Sequence, residues 1–123
     1  MTFKNKLMGF GMPAGQALQL TPSTTPITCA GASAGGSPTA ITQSFCVLTA
    51  ASSQTGAILP AFSAATCQVG DSIKCYTTSS TSAVVYPATG ETVNNNSSVT
   101  VAQYKLLWLT RASATNWAYI ISA

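Results

Sequence analysis

The chain has 123 residues, enough for one domain or one domain with an arm, and its net charge of +3 comes from five cations and two carboxylates. Charged residues make up 6% of it, against about 25% in ordinary soluble domains. Five scattered cations neutralise few phosphates, so nucleic acid is not an expected partner, and the longest apolar runs, such as Leu106-Leu107-Trp108-Leu109, are far too short to span a membrane.

No charge lies between Lys6 and Asp71; Ser, Thr, Ala and Gly fill the space instead. A surface wetted by hydroxyls and amides lacks the charges that normally keep strand edges apart. This predicts a chain that hides much of its surface in an assembly. An extracellular domain with an uncharged surface is the other reading.

Residues 1–15 carry Lys4 and Lys6 among Met, Gly and apolar residues, without strand alternation. Gly9, Gly11 and Pro13 break an apolar run that is short for a secretory signal, so the segment reads as an N-terminal arm, with a signal peptide as the minority reading. Residues 16–123 read as a single all-β domain. Leu18 and Leu20 alternate with polar residues, residues 27–29 form a possible short strand, and residues 31–38 are a Gly/Ser loop. Residues 40–49 read as one strand, with Ile41, Phe45 and Val47 on one side and Cys46 and Leu48 on the other, buried between two layers. Ile58-Leu59-Pro60-Ala61 is a short apolar anchor that Pro60 should confine to an edge or a connection.

Further strands are predicted at 72–77, with Ile73 and Cys75 inward, at 83–86, briefly at 92–93, and around Val99 and Val101. From Gln103 the pattern puts Tyr104, Leu106 and Trp108 on one face and Lys105, Leu107 and Leu109 on the other. Residues 111–116 read as a hairpin connection. Trp117, Tyr119 and Ile121 then share a face. Strands about every ten residues, with turn signals between them, predict a small antiparallel β-sandwich or barrel with an extended N-terminal arm.

The candidate chemistry is thin. Gly70-Asp71-Ser72-Ile73 resembles a serine-nucleophile block, but the chain has no histidine to act as its base, so a polar turn entering a strand is the expected role. Asp71 and Glu91 are the two carboxylate side chains, and nothing in the pattern brings them together as a catalytic pair. Cys29, Cys46, Cys67 and Cys75 lack metal-site spacing; they read as buried free thiols, or as two disulfides in one of three pairings if the chain is secreted. No catalytic residue, cofactor or metal is assigned, and an enzyme is not expected. Leu106, Trp108, Trp117 and Tyr119 are the candidates for core or subunit interface.

Ile58-Leu59-Pro60-Ala61, Gly70-Asp71-Ser72-Ile73, Val85-Tyr86-Pro87-Ala88-Thr89-Gly90, Val93-Asn94-Asn95-Asn96 and Trp117-Ala118-Tyr119-Ile120 follow one another in an order that resembles small structural proteins of tailed-bacteriophage virions. The resemblance covers residues 58–120, about half the chain. It departs from the usual pattern at Ser97-Ser98, where a glycine is expected, and in its number of cysteines. It implies a head decoration or cement protein: a homotrimer on the capsid surface, bound to the major capsid protein and assembled in the host bacterial cytoplasm. Phe3, Lys4, Lys6, Leu7 and Phe10 would be the docking residues of its arm. The alternative is a head- or tail-fibre module that binds a host glycan through exposed aromatics.

Overall fold

The computed structural model describes residues 26–63 and 66–123. The predicted arm and the strand pattern at Leu18 and Leu20 lie outside them. Among the described residues there are ten strands and no helix: β1 Ile27–Thr28, β2 Thr39–Ala40, β3 Phe45–Thr49, β4 Gly56–Ile58, β5 Ser72–Thr77, β6 Ala83–Tyr86, β7 Thr92–Val93, β8 Val99–Val101, β9 Leu106–Arg111 and β10 Asn116–Ile121. They form a six-stranded sheet in the order β1-β3-β5-β9-β10-β7 and a four-stranded sheet in the order β2-β4-β6-β8.

From β1 to β9 the chain changes sheet at every step, and the β9–β10 hairpin is where two successive strands share one. This winding makes β1, β3 and β5 parallel neighbours in one sheet and β2, β4 and β6 parallel neighbours in the other. Parallel strands need a long crossover. Here the crossover is a strand of the opposite sheet. Antiparallel pairing enters at β5–β9, β9–β10 and β6–β8. The all-β expectation holds, but the expected antiparallel pattern is corrected to mixed sheets. Alternation along a strand reports which face is buried and carries no information about the direction of the neighbour.

Two local expectations also change. Residues 40–49 are not one strand. Thr39 and Ala40 belong to the four-stranded sheet, the chain bends at Gln43 and Ser44, and β3 continues in the other sheet. Ile41, just past β2, and Leu48, in β3, are both buried. The anchor at Ile58 is not at an edge either, since β4 lies between β2 and β6 and ends before Pro60 needs a ladder partner. Gly56 is a close-approach site: a Cβ there would lie 2.7 Å from the Ala30 carbonyl oxygen and 3.0 Å from Pro38.

The inward residues of both sheets meet in one apolar cluster that includes Cys46, Leu48, Val85, Val101, Leu107, Leu109 and Trp117. Burying one large aliphatic or aromatic side chain contributes about 1.5–3 kcal/mol. With so few charges to organise the fold, this cluster and the ladders carry the structure.

Candidate assembly surface

Strict alternation divides the six-stranded sheet. On β5 the inward residues are Ile73, Cys75 and Thr77, and on β9 they are Leu107, Leu109 and Arg111. The outward residues follow from register. Phe45, Lys74, Trp108 and Ile120 stand side by side across β3, β5, β9 and β10. Val47, Tyr76 and Leu106 form a second row, and Ser72, Thr110 and Ala118 a third. On the side turned away from the core, the second row is therefore wholly apolar or aromatic and the first is so apart from Lys74. Trp108 is 44% exposed and Ile120 67%. Around them lies a shallow open depression of about 250 Å³, lined by Trp108, Thr110, Ala118, Tyr119 and Ile120.

Lys74 is the one charged side chain among the described outward positions of these four strands. Its ammonium sits 4.5 Å from the centre of the Trp108 ring. A cation over an indole face is attracted by the ring quadrupole, which orients the tryptophan and softens the charge. At the end of the same β5–β9 pair, Tyr104 is exposed with a backbone φ of 61°. That left-handed conformation is costly for a bulky residue, and Tyr104 N–H donates to the Thr77 carbonyl at 2.7 Å.

The opposite side of the sheet holds a different arrangement. Arg111 is inward at the end of β9 and fully buried, not part of the hairpin connection as expected. One guanidinium nitrogen donates to Glu91 Oε1 at 2.9 Å and to the Pro60 carbonyl at 2.8 Å. The other terminal nitrogen reaches the carbonyls of Ser113 and Ala114, and Nε donates to Cys67 Sγ at 3.3 Å. The group stacks 4.5 Å from the Trp117 ring centre. Glu91 Oε2 in turn accepts the Phe62 N–H at 2.9 Å. Three connections, β4–β5, β6–β7 and β9–β10, are thus tied to one buried cation. A guanidinium suits this because it donates in several fixed directions at once. Alternation continuing through 107, 109 and 111 is the sequence signal that would have placed Arg111 inside.

The Gly70-Asp71-Ser72 block is a turn leading into β5. Asp71 Oδ2 accepts the Gln68 N–H, and the Ser72 and Thr110 hydroxyls lie 3.1 Å apart on paired strands. The Asn-rich turn behaves as its composition predicts, with Asn94 and Asn95 at positive φ.

All four cysteines are buried free thiols. Cys46 and Cys75 face each other on β3 and β5 with their sulfurs 3.4 Å apart. That hydrogen bond, and then burial, hold the Cys75 pKa well above the ordinary thiol value. Burial raises Cys29 to about 11 and also raises Cys67, where the Arg111 contact works the other way. Neutral, enclosed thiols are poor nucleophiles and poor metal ligands. Among the described residues, no three His, Cys, Asp or Glu groups cluster as a metal site.

The predicted aromatic group is thus split. Trp117 is in the core, Tyr119 packs against the core, Leu106 is half-buried on the outer face, and Trp108 is exposed there. The structure does not place Trp117 and Trp108 together. Phe3, Lys4, Lys6, Leu7 and Phe10 lie outside the described residues. No protein family, curated protein or solved structure matches the chain.

Proposed function

We propose that this chain is a non-enzymatic structural subunit of a bacteriophage virion, one that decorates or cements the capsid shell by contact with the major capsid protein. The observation that carries the reading is the outward face of the six-stranded sheet, where Phe45, Val47, Tyr76, Leu106, Trp108 and Ile120 form apolar rows around one lysine. Contiguous apolar surface of this kind marks an interaction site, and aromatic enrichment with charge depletion is the composition of an interface core. The charge-poor sequence and the resemblance of residues 58–120 to virion structural proteins agree with it. In the same reading the two sheets close as a small sandwich or barrel, residues 1–15 are the docking arm, and the subunits act as homotrimers on the capsid surface after assembly in the host cytoplasm. Weak contacts repeated over a symmetric shell add up through multiplicity.

Trp108 also keeps a glycan-binding fibre module in view. A sugar, however, needs several hydrogen-bonding partners beside its aromatic platform, and Trp108, Ala118 and Ile120 dominate the depression. That favours protein over glycan. The test is co-sedimentation of the purified full chain with expanded, empty phage shells. Saturable binding is expected, and a chain that stays in the supernatant at micromolar concentration rejects the reading.

A further inference from the structure

We infer that Cys46 and Cys75 are an oxidisable pair: a cross-strand disulfide joins β3 to β5 when the chain folds in the presence of a small-molecule disulfide, while Cys29 and Cys67 stay thiols. The inference goes beyond the capsid reading and stands without it.

Register makes the pair. Cys46 and Cys75 are direct partners on the parallel strands β3 and β5, and both side chains point into the core. Neighbouring strands run about 4.8 Å apart, inside the roughly 4.4–6.8 Å between Cα atoms that a disulfide spans. The sulfurs are already 3.4 Å apart. A bond of about 2.05 Å needs a further approach of about 1.4 Å, within reach of side-chain rotation and a slight closing of the strands.

The other two thiols are placed differently. The N–H of Cys29 donates to the Thr49 carbonyl. Thr49 lies along β3 from Cys46 by about 10 Å of strand, further than a disulfide reaches. Cys67 Sγ accepts the Nε–H of buried Arg111 at 3.3 Å, and Asp71 and Glu91 are its other electrostatic neighbours. None of the three full pairings of four cysteines is therefore completed. One bridge forms and two thiols are left.

Burial decides when the bridge forms. Cys46 and Cys75 are both 0% exposed, and Cys75 is held neutral by its hydrogen bond with Cys46 and by burial. The attacking species is the thiolate, so an oxidant meets the pair only in a chain whose β3–β5 ladder is open. There one cysteine loses its proton and attacks a sulfur of oxidised glutathione, giving a mixed disulfide and releasing one glutathione. The second cysteine, also as a thiolate, attacks the protein sulfur of that mixed disulfide and expels the second glutathione. The pair loses two electrons and two protons, and the small disulfide takes up both as two thiols. Folding then encloses the bond, as it otherwise encloses the thiols. The chain thus retains the redox state of the compartment in which it folds. The bridge also links residues 29 positions apart, which restricts the unfolded chain.

The experiment refolds the reduced full chain from urea into a glutathione redox buffer or into dithiothreitol, blocks remaining thiols with iodoacetamide, and maps the products by mass spectrometry. Cleavage after Lys74 separates Cys75 from the other cysteines, so a peptide linked across that cut reports Cys75 and its fragmentation names the partner. The expected product is a Cys46–Cys75 bridge with Cys29 and Cys67 blocked, and a higher urea midpoint for the bridged chain than for the reduced one. Cys46→Ala and Cys75→Ala should each abolish the bridge, and Cys29→Ala and Cys67→Ala should keep it; the wild-type map decides even where a variant does not fold. The folded, reduced chain in the same buffer should form the bridge more than about tenfold more slowly than the refolding chain, because only local opening exposes the thiols. Four blocked thiols after oxidative refolding overturn the inference, as does a bridge that uses Cys29 or Cys67, or a bridged chain with a lower urea midpoint. Equal rates in folded and refolding chains overturn the burial gate.

Discussion

Trp117 and Trp108 sit on neighbouring strands of one sheet and have opposite fates. Trp117 is fully buried, stacked on the Arg111 guanidinium and packed among the core leucines; Trp108 is nearly half exposed, with Lys74 over its ring. The inner face spends its polar groups on holding turns together. The outer face presents apolar rows that are partly exposed, most openly at Trp108 and Ile120. The lesson is that one residue type marks core on one side and partner surface on the other, and only the face distinguishes them.

The sharpest way to break this comparison is to truncate each tryptophan. Trp117→Ala should lower stability by about 3–5 kcal/mol, since it opens a cavity and unstacks a buried cation, whereas Trp108→Ser should change the stability of the dissociated chain by no more than about 0.5 kcal/mol. Urea midpoints measured at low protein concentration decide it, and equal losses would mean that the two faces do not differ as described.

Arg111→Ala comes next. It leaves Glu91, whose side chain is 8% exposed, without its cation, and removing one partner of a buried pair costs about 3–5 kcal/mol. Arg111→Met combined with Glu91→Gln should recover a good part of the loss, because no buried charge is then stranded. A double variant as unstable as the single one would place the contribution in the carbonyl contacts to Pro60, Ser113 and Ala114.

Alkaline pH probes the inner face more gently. The Cys29 thiol is raised from 9.0 to about 11 in the fold. As pH rises past 9 the unfolded chain loses this proton while the folded chain keeps it, so stability is fully present below that value and declines through about 11. Cys67 and Cys75, also raised, act in the same direction. Urea midpoints should be level from pH 7 to 8.5 and then fall, and Cys29→Ala should make the fall shallower. A rising midpoint over that window would contradict the buried neutral thiols.

The smallest effect is expected at Thr77, which is buried with its hydroxyl oxygen unpartnered. Thr77→Val keeps the shape and removes the unsatisfied group, so the urea midpoint should stay or rise by the equivalent of about 1 kcal/mol. A clear loss would show that the hydroxyl contributes to the inner face after all.

Much of the strand inventory was legible because a half-buried strand must alternate. β5, β6 and β7 fall on the predicted residues, and the faces of Leu106 to Leu109 are as read. The failures are equally physical. The alternation in residues 40–49 runs through a bend, so Ile41, just past the end of β2, and Phe45, at the start of β3, looked like one face although only Phe45 is in a strand. Arg111 beside Ala112 and Ser113 looked like loop, because composition outweighed a period that had one more residue to run. Of the outer rows, Leu106 and Trp108 were legible; Trp117 and Tyr119 were named beside them but belong to or pack against the core, because composition does not separate core from interface.

By itself the sequence determined that the described residues are all-β and, within most of the strands, which residues share a face. These are local consequences of side-chain size, charge and backbone preference. Only the tertiary structure decided that the strands wind alternately between two sheets, that their neighbours are often parallel, and which aromatic face is left open. Those depend on pairings between residues 14 to 38 positions apart, such as Val85 with Val99 and Ser72 with Thr110, and alternation within a strand is blind to them.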